Sequence, residues 1–200
     1  MTATAAAVRS AAAAVRAGDP VVYPTETVYG LGADATDPDA VERVFELKGR
    51  SRDDPLSVGV PTVAAARRYV DPTPREERFM RAFLPGPVTP VVARREGALP
   101  DVLTGGRERV GIRVPAHDRA LAFLAAAGVP VTATSANVSG RPSVRRVADL
   151  DDRIRDGVAA VLDAGETGGA ESTVVDPGSG EVLRRGARAD AVEAWLAADG

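Results

Sequence analysis

VVYPTETVYGLGADATDPDAVERVFELKGR, residues 21–50, decides the fold class. VVY (21–23) is a short β-branched and aromatic run that suits a strand. The proline and hydroxyl residues of PTET (24–27) turn the chain at its end. Asp37 followed by Pro38 reads as an N-cap and a first helical residue. Val41, Val44, Phe45 and Lys48 then recur at helical spacing on one face. The helix therefore delivers Lys48 at its C-terminal end, where a cation is favoured. A strand, a polar turn and a capped helix in direct succession begin an α/β pattern.

The same alternation extends both ways. Upstream, MTATAAAVRSAAAAVRAGD could pass for a signal peptide, but it has no basic n-region and Arg9 and Arg16 break the apolar run. It reads as an Ala-rich helix over 4–17 ended by Gly18. Downstream, LSVGV (56–60) is a buried strand, followed by helices at 62–69 and 74–84, the second stopped by PGP (85–87). VTPVVA (88–93) and VGIRV (110–114) are strands. A helix at 117–127 ends at Gly128, and VPVTATS (129–135) is a further strand leading into a polar loop. A helix is expected at 146–156, strands at 158–162, 172–176 and 181–184, and a last helix at 189–198. The pairs 88–93/110–114 and 172–176/181–184 lack helical crossovers and are expected to be antiparallel, which makes the sheet mixed. With no internal repeat and no linker, one domain over 1–200 is the economical reading, with no additional C-terminal domain.

Composition removes several function classes. The chain has no cysteine, which excludes a disulfide framework and thiolate metal sites and fits a reducing, cytoplasmic setting. Its one histidine, His117, excludes multi-histidine metal centres and reads as a surface loop residue. Net charge is −3, whereas a protein built to grip a phosphate backbone is usually basic. Apolar runs are interrupted by charge well short of a membrane span. There is no Walker A loop, no GxGxxG after a strand, no HExxH and no GxSxG.

Five segments carry chemistry. PTETVYGLGAD (24–34) places Thr25, Glu26 and Thr27 after a strand, and Gly30 and Gly32 permit close backbone approach. KGR (48–50) sets two cations around a glycine just past a helix end. Lys48 is the only lysine among 25 basic residues, so a compact ammonium persists where arginine serves everywhere else. In RVGIRVP (109–115), Arg113 interrupts a buried-looking strand. It either faces water on an edge or is an internal guanidinium awaiting an anion. TATSANVSG (132–140) passes from a strand into a turn whose amides, with Ser135 and Asn137, can cradle phosphate oxygens. ESTVVDP (171–177) and VLRRG (182–186) bring Glu171, Ser172 and Arg184 to further strand ends. Each segment alone fits an ordinary turn or helix end. Together they form two cationic clusters and three hydroxyl-rich strand ends, where α/β proteins gather anionic ligands.

PTETVYGLG, KGR, PGPVT, VGIRVP, TSANVSG, STVVD and RRGA, in this order and spacing, resemble the YrdC-like threonylcarbamoyl-AMP synthases from about residue 12 to 188. The resemblance implies a twisted, open mixed α/β sheet with flanking helices around a deep cavity. It implies an enzyme that joins ATP, L-threonine and bicarbonate, with Mg²⁺ accompanying ATP, and that hands threonylcarbamoyl-AMP to a separate tRNA-modifying transferase complex, with at most weak contact to tRNA itself and none to membranes. Carried over by position, Lys48, Arg50, Ala133 (through its backbone), Ser135, Asn137 and Arg184 fall at ATP positions. Thr27, Arg113 and Ser172 fall at threonine positions, with Arg113 facing the carboxylate. No catalytic acid or base and no metal-ligating side chain is assigned. The alternative is a non-catalytic RNA- or nucleotide-binding member of the same fold. The chain departs from the family pattern at Asp54, Gly59, Arg109 and Arg185; at position 59 many members carry histidine.

Overall fold

The structure, a computed structural model, describes residues 5–198. Among the described residues nine strands form one mixed sheet. In chain order they are β1 (Val21–Tyr23), β2 (Gly30–Gly32), β3 (Ser57–Gly59), β4 (Val88–Ala93), β5 (Arg109–Arg113), β6 (Val131–Ser135), β7 (Ala160–Val161), β8 (Thr173–Asp176) and β9 (Glu181–Arg184). Across the sheet the order is β7-β1-β2-β6-β3-β5-β4-β8-β9. β4 and β5 are antiparallel, as are β8 and β9, in line with the missing crossovers. The pairs β1/β7, β3/β5 and β4/β8 are parallel.

Alternation along the strands divides the two faces. Val22, Leu31, Val58 and Ile112 point into the main core, where α2 (Pro38–Lys48) buries Val41, Val44 and Phe45 against them. The opposite face is covered at one end only. There α1 (Ala5–Arg16) and α6 (Asp118–Ala127) pack together over Val21, Tyr23 and Val131 through Val8, Val15, Phe123 and Leu124. A third cluster joins α4 (Pro74–Phe83) and α8 (Ala189–Ala198) through Phe79, Phe83, Val192 and Trp195 beside Val88 and Val175. The middle of the second face is left without a helix.

Local chemistry explains the element ends. Asp37 caps α2 by accepting from the Asp39 amide. Thr73 and Glu76 form a capping box at the start of α4. His117 is the N-cap of α6, its Nδ1 accepting from the Ala120 amide at 3.4 Å, so the only histidine is a cap rather than a plain loop residue. Burial, then Arg119, holds its pKa below the usual imidazole value.

Several expected boundaries move. The expected helix at 146–156 is a 3₁₀ turn, Val147–Asp149, then extended Leu150, then α7 (Asp152–Asp156) capped by Asp151. Leu150 is buried, and the Asp151 carboxylate takes the Arg153 amide and starts a new helix there. The helix at 62–69 shortens to α3 (Val63–Ala66). Residue 4 of the first expected helix lies outside the described residues. A short helix, α5 (Asp101–Thr104), and β2 were not expected. The residues of β2, Gly-Leu-Gly, are poor strand formers. Here glycine is needed because the Tyr23 ring lies across the strand. A Cβ on Gly30 would sit 2.9 Å from Tyr23 Cζ, and one on Gly32 2.5 Å from Val131 Cγ1.

Candidate functional site

Where no helix covers the sheet, a cavity of about 810 Å³ opens, within the range of small-molecule sites. Its floor is the pleat of β2, β6, β3, β5 and β4. Gly30 pairs with Ser135, Ala133 with Ser57, and Gly111 with Val91, and all six residues line the cavity. Seven of the nine residues singled out from sequence line it: Thr27, Arg50, Arg113, Ala133, Ser135, Ser172 and Arg184. The other two, Lys48 and Asn137, lie behind the wall.

Lys48 is fully buried at the last turn of α2. Its Nζ donates to the carbonyls of Ser135 and, at 2.7 Å, Asn137. Its own carbonyl accepts from the Ser139 amide at 2.8 Å. The lysine thus ties the Ser135–Ser139 turn to the helix end. Burial, then the neighbouring Arg50, lowers its pKa to about 8. Gly49 follows in the left-handed region at φ 58°, its amide turned back onto the helix carbonyls, and this reverses the chain so that Arg50 enters the cavity. Arg50 Nε donates to the Asp54 carbonyl at 3.0 Å. Asn137 is the keystone of the turn: its Nδ2 donates to the carbonyls of Val138 and Arg141, while its buried Oδ1 has no partner among the described residues.

Arg113 resolves the choice left open by the sequence: it is internal, with 7% of its side chain exposed. Glu26 Oε1 approaches its Nη2 to 2.8 Å and accepts from the Ala116 amide at 3.0 Å. The contact to Arg113 is an ion pair without hydrogen-bond alignment. Neither terminal nitrogen of Arg113 has a hydrogen-bond partner among the described residues. Burial holds the guanidinium pKa below its usual value, Glu26 opposing the shift. A buried cation on a cavity wall, ion-paired on one side and with no hydrogen-bond partner at its other terminal nitrogen, can receive an anion. Beside it, burial raises the Tyr23 phenol pKa, with Arg113 opposing. Thr25 Oγ1 donates to the Val28 carbonyl at 2.6 Å and lies 2.8 Å from Thr27 Oγ1, holding the PTET turn against the cavity.

The far wall is built by β4, β8 and β9. Ser172 Oγ lies 2.9 Å from Thr89 Oγ1 and 3.1 Å from Arg184 Nη2, which also donates to the Ser172 carbonyl. Arg184 Nη1 is 2.9 Å from Glu171 Oε2, and Ser143 Oγ donates to Glu171 Oε1. Arg109, at the rim, bonds Glu76, Asp176 and the Val91 carbonyl and so fixes the β8–β9 hairpin to the sheet. Thr89 and Tyr23 were readable from PGPVT and VVY as strand residues, but their facing toward a cavity depends on strand order.

An α/β sheet whose one bare face carries paired hydroxyls and inward-facing arginines is the framework of a protein that binds a small, multiply charged ligand. The chain belongs to the Sua5/YciO/YrdC family, described as "Telomere recombination", which matches residues 13–186. It is 41% identical over 171 residues to a threonylcarbamoyl-AMP synthase of Pyrococcus abyssi, covering 84% of this chain and 50% of that protein. It is 39% identical over 181 residues to one of Halorhodospira halophila, covering 89% and 94% respectively. It superimposes on P. abyssi Sua5 complexed with L-threonine with a TM-score of 0.82 at 40% identity, over 86% of this chain and 51% of that one. The chain thus spans about half the length of the Pyrococcus relative. Among the described residues no helix is long and apolar enough to cross a membrane.

Proposed function

We propose that the chain is an L-threonylcarbamoyladenylate synthase, converting ATP, L-threonine and bicarbonate to threonylcarbamoyl-AMP and pyrophosphate. The observation that carries this reading is Arg113, buried on the cavity wall, ion-paired to Glu26 through Nη2 but with no hydrogen-bond partner at Nη1, and the hydroxyl- and arginine-lined space in front of it. Its fork receives the threonine carboxylate, with Thr27 and Ser172 supplying hydroxyls on either side. Arg50 and Arg184 draw in the phosphates. The Ser135–Asn137 turn, held by Lys48 from behind, presents the Ser135 hydroxyl and the β6 backbone at Ala133. The threonine amine and bicarbonate condense to a carbamate with loss of water. A carbamate oxygen then bonds to the α-phosphorus as the bond to pyrophosphate breaks. The protein's part is positioning and charge neutralisation.

Among the described residues no group of three or more His, Cys, Asp or Glu side chains could hold a metal. The donor set therefore fits a Mg²⁺ ion that arrives with the nucleotide and is held chiefly by phosphate oxygens. Bound there, Mg²⁺ would offset charge on the phosphates and on departing pyrophosphate. The adenylate is a mixed anhydride that a separate transferase, acting on a tRNA adenosine, would consume, and the absence of cysteine supports a cytoplasmic setting.

The test is incubation of the protein with ATP, L-threonine and bicarbonate, followed by mass analysis for the adenylate and assay of pyrophosphate. Release dependent on both threonine and bicarbonate is expected. Nucleotide binding without that release would favour a non-catalytic nucleotide-binding member of the fold.

A further inference from the structure

Two acidic side chains line the cavity, Glu108 and Glu171. Glu108 is exposed at the rim. Glu171 stands among the cations. Its Oε2 is 2.9 Å from Arg184 Nη1, its Oε1 accepts from Ser143 Oγ, and its charge is felt by Lys48. Arg184 in turn acts on Arg50, so all four charges belong to one cluster. The backbone of Glu171 is fixed, its carbonyl accepting from the Ala187 amide at 2.8 Å. The side chain is 40% exposed, so its carboxylate is open to the cavity.

A carboxylate at this place is at odds with simple anion recognition. Phosphate oxygens drawn in by Arg50 and Arg184 would meet a like charge within the same cluster, and like charges at such range repel. A hard dication removes the conflict, because Mg²⁺ takes one or two carboxylates together with substrate phosphates. The carboxylate has capacity for it. Two oxygens offer about four acceptor sites, and Ser143 and Arg184 engage one on each. We propose that Glu171 is the protein's own ligand for the divalent cation that accompanies the nucleotide, directly or through a coordinated water, with Ser143 and Arg184 orienting it. This rests on the nucleotide reading above.

The probe is an ATP analogue with a methylene bridge between the α- and β-phosphorus, titrated calorimetrically into the full chain with Mg²⁺ or with EDTA. For the wild-type protein, Mg²⁺ should tighten binding about tenfold or more. In Glu171→Gln two changes of opposite sign are expected. Metal-free analogue should bind about fivefold tighter than to wild type, because a negative charge is gone and Arg184 is released. The Mg²⁺ enhancement should fall to about threefold or less. Glu171→Asp, which keeps the charge, should retain a clear Mg²⁺ enhancement, and it carries the test if the glutamine variant does not fold. Equal weakening with and without Mg²⁺ in Glu171→Gln would overturn the proposal and leave Glu171 as a buttress of Arg184, as would an undiminished enhancement. Wild-type protein that binds the analogue but gains nothing from Mg²⁺ would overturn the proposal alone. Wild-type protein that binds no analogue at all would overturn the nucleotide reading with it.

Discussion

Replacing Lys48 by arginine separates a surface charge from a built clamp. At an exposed helix end the exchange would change stability by no more than about 0.5 kcal/mol and leave activity alone. Lys48 is instead buried, its compact ammonium seated between the carbonyls of Ser135 and Asn137. A guanidinium is wider and planar, and forcing it into a filled space costs about 1–3 kcal/mol. For a chain of this size that is a fall in Tm of roughly 2–12 °C. Misdirecting the two carbonyls also displaces the Ser135–Asn137 turn, so ATP-dependent pyrophosphate release should drop at least about tenfold, the equivalent of 1.4 kcal/mol and less than one charged hydrogen bond can contribute. Lys48→Met gives the complementary result. It removes the buried charge but leaves two carbonyls without their donor, at about 1–3 kcal/mol each, so activity and Tm should both fall. The measurements are thermal melting and threonine-dependent pyrophosphate release on the same preparations. An arginine variant with wild-type Tm and turnover would refute the clamp.

Arg113→Ala should raise the threonine requirement by about 10- to 150-fold, the loss of a charged hydrogen bond of about 1.5–3 kcal/mol, while leaving affinity for ATP nearly unchanged. Collapse of ATP affinity instead would reassign the residue. Gly59 carries no side chain where the resemblance leads one to expect histidine, and a Cβ there would make ordinary contacts of 3.5 Å with Leu124 Cδ2, Tyr23 Oη and Val131 O. Serine should therefore be activated less well than threonine but measurably, since one methyl is worth about 1–3 kcal/mol; an adenylate assay that detects no serine product would show that other residues compensate. Lys48 supplies a pH signature. Its pKa is about 8 folded and 10.5 unfolded, so between these values the unfolded chain binds the extra proton and Lys48's contribution to stability rises with pH. Activity should fall as pH rises through about 8, where the folded ammonium loses its charge. Melting across pH 8–10.5, compared with Lys48→Met, checks the first sign, and pyrophosphate release checks the second.

The sequence was most legible where one local signal sufficed. The strand at 88–93, the Asp37 cap and the inward face shared by Val41, Val44, Phe45 and Lys48 all follow from spacing and side-chain type. It was least legible where a distant partner decides. Nothing near Gly30 or Gly32 marks a strand, because what requires glycine there is the ring of Tyr23 and the side chain of Val131. Arg113 could be read as facing water or facing inward until Glu26, far away in the chain, came to rest against it. Lys48 was placed correctly on a buried face, yet its contacts are carbonyls of a turn packed across from it, and no local pattern announces that role. The resemblance gathered the site residues, but it could not distinguish those that line the cavity from those that hold its wall.

That distinction has an energetic logic. A cavity that must receive several negative charges cannot be built on a sheet face closed by apolar helices, and here α1 and α6 stop short of Gly30, Ser57 and Gly111. The exposed pleat is then dressed with groups that are expensive to leave idle. On the cavity wall Arg113 lacks hydrogen-bond partners at both terminal nitrogens, its Nη2 being ion-paired to Glu26, and behind the wall Asn137 Oδ1 has no partner among the described residues. An unpaired buried polar atom costs on the order of 1–3 kcal/mol. The fold carries that strain because the main core lies on the other face of the sheet, around Phe45, Val58 and Ile112, where none of these groups intrudes. An anionic ligand that engages Arg113 recovers part of that deficit on binding. Behind the wall, Lys48 bonds both its carbonyls; at the rim, Arg109 Nη2 bonds Glu76, Asp176 and Val91, while its buried Nε has no partner among the described residues. An under-bonded cation on the cavity wall and a fully bonded lysine behind it are what a preorganised binding site requires, and this contrast separates Arg113 from Lys48.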